Sequence, residues 1–260
     1  AHHIAVDGLS VGPLARDIET AVTARRAGLA PQFAPLAIDY ADYRMWQHEV
    51  LAAVGARQLD YWRTALAGMP DYLDLPQGTP TPDEPTVPVQ FEIDAATLTE
   101  LRALAHRLGA TVFVVVHAAL AAVLAEASGT ADIAIGTPVS GRTDPALDEL
   151  VGMFVGTVVL RTPVDPSLTF EQFVALVLGR DLDAFAHSAV PFEWVVDAAA
   201  PTRTVDAHPL FQVLLAVGGT ESPSFDLGAG AATPKRIETG ENQFDLEVVV
   251  DDSIDGLTGR

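Results

Sequence analysis

The feature that most constrains this chain is the run from Thr111 to Ala127, which would be apolar on nearly every side if wound as a helix. A helix without a polar face must be covered on several sides, and a sheet offers the broad apolar surface that does so. The longest apolar stretch, Thr111 to Leu124, carries His117 and falls short of the roughly 20 residues that cross a bilayer. The run therefore predicts a core helix packed on a sheet.

Other segments supply that sheet. Ile133–Val139, Phe154–Thr162, Leu210–Val217 and Phe244–Val250 are β-branched and aromatic runs that read as strands, and Val87–Ile93 alternates like one. Helical periodicity covers Leu9–Gly28, Asp39–Gly68, Ala95–Leu108 (closed by Gly109) and Leu168–Ser188. Helices alternating with strands predict an α/β, α+β-layered architecture. Between Met69 and Pro88 the pattern collapses into Pro70, Pro76, Pro80, Pro82, Pro85 and Pro88 among Gly and Asp. Such a segment reads as a linker at 69–86, dividing the chain into 1–68 and 87–260.

Composition narrows the function classes. With 260 residues, 49% hydrophobic and 19% charged, the chain can bury a substantial core. Its 35 acidic against 15 basic residues, with Lys235 the single lysine, argue against nucleic acid or anionic membrane as partners. The absence of cysteine excludes disulfides, thiolate zinc sites and a Cys nucleophile, and fits a cytoplasmic setting. No basic segment precedes an apolar one at the start, so no signal peptide is readable. The opening Ala1-His2-His3 and the closing Gly256-Leu257-Thr258-Gly259-Arg260 lead us to expect that both ends are cuts through a longer protein.

The first chemical constellation is His2-His3-Ile4-Ala5-Val6-Asp7-Gly8. A neutral imidazole takes or shares a proton near pH 7, an ionised Asp only accepts and can pair with an Arg, and Gly lets a backbone approach a ligand. In isolation the segment reads equally well as a polar loop between core elements. A metal site of two His and a carboxylate is disfavoured, because adjacent side chains on extended backbone point to opposite faces. Four further segments stand out: Tyr40-Ala41-Asp42-Tyr43-Arg44-Met45-Trp46-Gln47; Ile135-Gly136-Thr137-Pro138-Val139-Ser140-Gly141-Arg142 followed by Gly152-Met153-Phe154-Val155-Gly156-Thr157; His187 to Glu193; and Arg203 followed by His208-Pro209-Leu210-Phe211-Gln212-Val213. Taken singly, each fits packing better than chemistry.

Together and in this order they resemble the condensation domains of nonribosomal peptide synthetases. The family's signatures HHxxxDG, YxDYxxWQ, IGTPVxxR with GxFVxT, HxxxPFE and R(x)nHPLFQV are all present between Ala1 and about Val217. The resemblance implies a two-lobe fold like chloramphenicol acetyltransferase, with a tunnel between the lobes. Here the chain would hold the end of the N-terminal lobe (1–68) and most of the C-terminal lobe (87–260). It implies an acyltransferase that forms an amide between a donor acyl or peptidyl thioester and an aminoacyl acceptor, in secondary-metabolite or antibiotic biosynthesis. Upstream and downstream peptidyl carrier proteins would deliver both on 4′-phosphopantetheine arms beside an adenylation domain, and no cofactor or metal would be bound directly.

His3 matches the family's catalytic histidine, as base or as a group that positions the amine. His2 and Asp7 match structural positions, with Arg142 the matching partner for Asp7 in a bidentate pair. The Gly8 N–H would face the reaction centre, and the loop from Gly218 to Gln243 would form a latch between lobes. Intact His2-His3 distinguishes the chain from heterocyclising relatives, and Leu9-Ser10-Val11 after the Gly distinguishes it from epimerising ones. Gly156 departs from the Asn usual before Thr157. With the family's N-terminal signatures missing, this piece alone is expected to be inactive. A carrier-dependent acyltransferase to a free amine or alcohol, or a non-catalytic carrier-docking domain, are the alternatives.

Overall fold

A computed structural model describes residues 2–76, 88–199, 208–218, 225–226, 231–232, 243–253 and 256–259. Arg203, the Pro80, Pro82 and Pro85 part of the linker, and all but the ends of the Gly218–Gln243 latch segment lie outside the described residues, save two short strands. The chain forms two compact units: Ala1–Val54, Ser140–Gly156 and Thr220–Thr239 in the first; Gly55–Val139, Thr157–Gly219 and Gly240–Arg260 in the second.

The first unit opens with a 3-10 turn, His3–Ala5, and the helix α1 (Val11–Arg26). Helix α2 (Tyr40–Ala65) begins in this unit and ends in the second. The unit's core gathers Tyr43 of α2 with Leu147, Leu150 and Phe154 of the segment after residue 140. Strands β5 (Phe225–Asp226) and β6 (Ala231–Ala232) pair antiparallel.

The second unit is built on a six-stranded mixed sheet. Its strands are β1 (Phe91–Asp94), β2 (Asp132–Val139), β3 (Gly156–Pro163), β4 (Val213–Val217), β7 (Leu246–Ser253) and β8 (Gly256–Gly259), in the spatial order β1-β8-β7-β4-β2-β3. Strand β4 runs parallel to β2 and β7, with Ile135 opposite Val213 and Val213 opposite Leu246, whereas β8 is antiparallel to β1 and β7. Helices α3 (Ala95–Arg107), α4 (Val112–Ser128), α5 (Phe170–Ala186) and α6 (Phe192–Ala199) complete it. The core joins Val114, Val115, Ala118, Ala121 and Leu124 of α4 to Phe173, Val174 and Val177 of α5 and to Ile133, Ile135, Val213 and Leu215 of the sheet. Among the described residues no single helix is long and apolar enough to cross a membrane.

Local chemistry sets the helix ends. The side chains of Asp94, Thr111 and Thr169 accept N–H bonds at the starts of α3, α4 and α5, and Thr169 with Gln172 forms a reciprocal capping box. Helices α1, α3 and α4 stop just before Gly28, Gly109 and Gly129, which have positive φ. Helix α4 departs from the expectation of cover on nearly all sides, since Val123 is 62% exposed. Its His117 is fully buried, with Nδ1 3.0 Å from Asp181 Oδ2 of α5 and Nε2 3.3 Å from Thr162 Oγ1 of β3. That polar link ties three elements where an apolar residue could only pack.

Four strands start later than the residues suggest, β7 among them, which begins at Leu246 rather than Phe244. Strand β3 begins at Gly156 because the Phe154 N–H is committed to Asp7 Oδ2. Strand β4 begins at Val213 because Pro209 has no N–H and Leu210 sits in the left-handed region at φ 72°. Strand β1 is confined to Phe91–Asp94, and Val87 lies outside the described residues.

Candidate active site

The residues of HHxxxDG lie in the first unit, at the start of α1. His2 caps the 3-10 turn on extended backbone, its Nδ1 accepting from the Ile4 N–H at 3.1 Å, while His3 already belongs to the turn. His3, the first residue of the turn, is exposed, and so is Gly8. The turn closes through Ala5 N–H to His2 O (3.0 Å) and Val6 N–H to His3 O (3.3 Å).

Asp7 is the buried member, 4% exposed. Its Oδ1 accepts from the Ser10 N–H (2.9 Å), the Ser10 hydroxyl (2.7 Å) and Arg142 Nη2 (3.2 Å), and its Oδ2 accepts from the Phe154 N–H (3.0 Å). Its own N–H donates to Gly152 O at 3.0 Å. Burial alone would raise the Asp7 pKa. The bonds from the Ser10 hydroxyl, the Phe154 and Ser10 N–H groups and Arg142 outweigh that and hold the carboxyl below the usual range.

Arg142 does not form the bidentate pair expected with Asp7. Its Nη2 is shared between Asp7 Oδ1 and Ser10 Oγ (3.0 Å), while Nη1 donates to Leu147 O. Its guanidinium carbon stands 4.0 Å from the centroid of the Phe154 ring. The geometry follows from a fork whose two ends face different oxygens. Gly141, with φ +65°, makes the preceding turn, and a Cβ there would lie 2.0 Å from Phe154 O.

The aromatic helix face of α2 supports the same spot. Tyr40 donates its hydroxyl to Met153 O at 2.7 Å and meets the Phe154 ring edge-on at 5.2 Å. The ring of Tyr43, 5% exposed, lies 4.6 Å from that of Phe154. A Cβ on Gly152 would fall 2.3 Å from Tyr40 Cδ2, so the glycine is required by close approach. Sequence reasoning missed Ser10, which is wholly buried beside Asp7. Its place before α1 reads as a helix cap, yet its side chain makes no capping bond.

The remaining signatures lie in the second unit. His187 stacks on Tyr61 at 3.8 Å and accepts from Trp62 Nε1 through its carbonyl at 2.9 Å. His208, with burial lowering its pKa against its backbone hydrogen bonds, stacks with Phe192 and neighbours Phe211 and Phe244. Gln212 bridges the Leu73 N–H (2.8 Å) and His208 O (3.0 Å). These groups therefore organise packing in the second unit. A cavity of about 740 Å³ there is lined by Tyr61, Asp132, Arg161 and Arg180, but Asp132 pairs with Arg161 and no HHxxxDG residue borders it.

Comparison with known proteins adds to this geometry. Residues 1–258 match the family model described as Condensation domain. The isonitrile lipopeptide synthase of Mycobacterium tuberculosis is 43% identical over 255 residues, 95% of this chain and 10% of the synthase. A dimodular nonribosomal peptide synthase of Bacillus subtilis is 37% identical over 258 residues, 96% of this chain and 11% of its own length. The solved X-domain from teicoplanin biosynthesis superposes with a TM-score of 0.85 at 30% identity, covering all of this chain and 61% of the X-domain chain. The chain thus spans about a tenth of these curated relatives.

Proposed function

The chain belongs to the condensation domain family of nonribosomal peptide synthetases, with the mixed α/β, chloramphenicol acetyltransferase-like fold of that family, and from that membership we propose that it forms amide bonds between carrier-bound substrates. The acceptor's α-amino nitrogen attacks the carbonyl carbon of the donor thioester. A C–N bond forms, the C–S bond breaks, the donor arm leaves as its thiol, and the amine gives up a proton. Both substrates arrive on 4′-phosphopantetheine arms of upstream and downstream peptidyl carrier domains, with an adenylation domain as neighbour and the cytoplasm as the setting.

The observation that carries this reading is the contrast within HHxxxDG. His3 is exposed on a short turn, while Asp7, four residues on, accepts four hydrogen bonds in a buried site. A mobile imidazole would lose most of its advantage in orienting an amine, and the anchored carboxylate limits that motion. His3 holds the amine and accepts its proton; the base contribution is modest, since a thioester is already activated and an α-amino group, of pKa about 8, is partly neutral near pH 7. His2 shapes the turn, Asp7 and Arg142 brace it, and the Gly8 N–H is the donor assigned to the developing oxyanion.

The test is single-turnover condensation in the full-length protein, with donor and acceptor carriers loaded and carrier-bound product followed by intact-protein mass spectrometry. We expect amide product from the unmutated protein and its collapse in His3→Ala. Absence of product from both, with folded protein and loaded carriers, would favour a docking domain or a transferase for another nucleophile.

A further inference from the structure

We propose that Ser10 is a positioning residue for His3, acting through its hydroxyl as the junction that locks the Asp7 loop to Arg142 and Gly152. The inference rests on the condensation reading and adds a residue to its site. The Ser10 side chain is wholly buried and has four polar neighbours. Its oxygen accepts from the Gly152 N–H at 3.1 Å and from Arg142 Nη2 at 3.0 Å. Asp7 Oδ1 at 2.7 Å and Gly152 O at 2.9 Å compete for its proton.

A hydroxyl has one proton and two lone pairs, so these neighbours use its full capacity. The shorter contact and the charge of the carboxylate direct the proton to Asp7. The chain of donors then runs from Arg142 through Ser10 to Asp7. Without the oxygen, a buried guanidinium that already has Nε without a partner among the described residues loses an acceptor at Nη2. Gly152 N–H loses its acceptor and Asp7 loses its shortest bond.

The helix end shows the same priority. Ser10 occupies the cap position of α1, where serine ordinarily bonds the helix N–H groups, and its side chain makes no such bond. The connection to His3 is short and ordered. Asp7 is fixed by Gly152 through its N–H, and the turn bonds Val6 to His3 and Ala5 to His2 immediately before it. A shift of the Asp7 anchor therefore reaches the imidazole within four residues.

The experiment is a double-mutant cycle on single-turnover amide formation in the full-length protein, using Ser10→Ala, His3→Ala and the pair. Acting through His3, Ser10→Ala slows the step at saturating acceptor carrier by roughly 10- to 100-fold. The half-saturating carrier concentration stays within about twofold. The double variant is no slower than His3→Ala alone. A Ser10→Ala rate equal to the unmutated one overturns the proposal. So does a double variant slower than His3→Ala by the full Ser10→Ala factor, which would mark a general structural role. If Ser10→Ala fails to fold by circular dichroism, the same cycle with Ser10→Cys, which keeps a weak donor at longer contact distances, decides on the same criteria. No amide from the unmutated protein overturns the condensation reading, and this inference with it.

Discussion

At the scale of single residues, a few buried polar groups hold the HHxxxDG segment in place. Arg142 places its fork on Asp7, Ser10 and Leu147 O and its flat face on Phe154. A lysine keeps the charge but neither the fork nor the face, so Arg142→Lys is expected to lower unfolding free energy by about 1–3 kcal/mol in urea denaturation. Asp7→Asn leaves that guanidinium without its counter-charge and is expected to destabilise by roughly 3–5 kcal/mol. Because the folded-state pKa of Asp7 is depressed, its contribution is present above the unfolded value and is lost as pH falls through the folded one. Acid melting followed by circular dichroism should show that loss in the unmutated protein and not in Asp7→Asn. His208 has a folded-state pKa depressed by burial, so its contribution likewise disappears on acidification below about 6.5. His208→Phe should flatten the thermal midpoint against pH in that window.

At the scale of elements, what was legible in the sequence follows from the range of the forces. Helix ends are local events: Asp94, Thr111, Thr169 with Gln172, and the glycines after α1, α3 and α4 act within a turn of themselves, and all five expected helices, α1 to α5, formed. Strand starts answer to distant partners. Phe154 is withheld from β3 by a carboxylate 147 positions away, a pairing that periodicity cannot contain. Strand β8 escaped notice because Gly256-Leu257-Thr258-Gly259 has one large apolar side chain, and it is held by its pairing with β1 and β7. The HHxxxDG residues were legible as a motif, whereas Ser10 was not, since its hydroxyl reaches Gly152, 142 positions on. Packing between elements is equally exacting. A Cβ on Gly136 of β2 would stand 2.1 Å from the Phe211 ring, so Gly136→Ala should destabilise by about 1–3 kcal/mol in the same denaturation assay.

At the scale of the whole molecule, net charge acts apart from the buried network around Asp7. A net charge of −20 opposes compactness through self-repulsion, and added salt screens it over a Debye length of about 10 Å at 0.1 M. The thermal midpoint should therefore rise as sodium chloride is added. Asp7 and Ser10 of the first unit make buried hydrogen bonds that salt reaches far less. The central claim, transfer of an acyl group to a carrier-bound amine, is tested most directly by locating the donor's mass after one turnover. With an isotope-labelled donor on one carrier and an aminoacyl group on the other, intact-mass measurement should find the label on the acceptor carrier, joined to the amine. Label that stays on the donor carrier, or leaves as free acid in water while both carriers remain loaded and folded, would contradict the account.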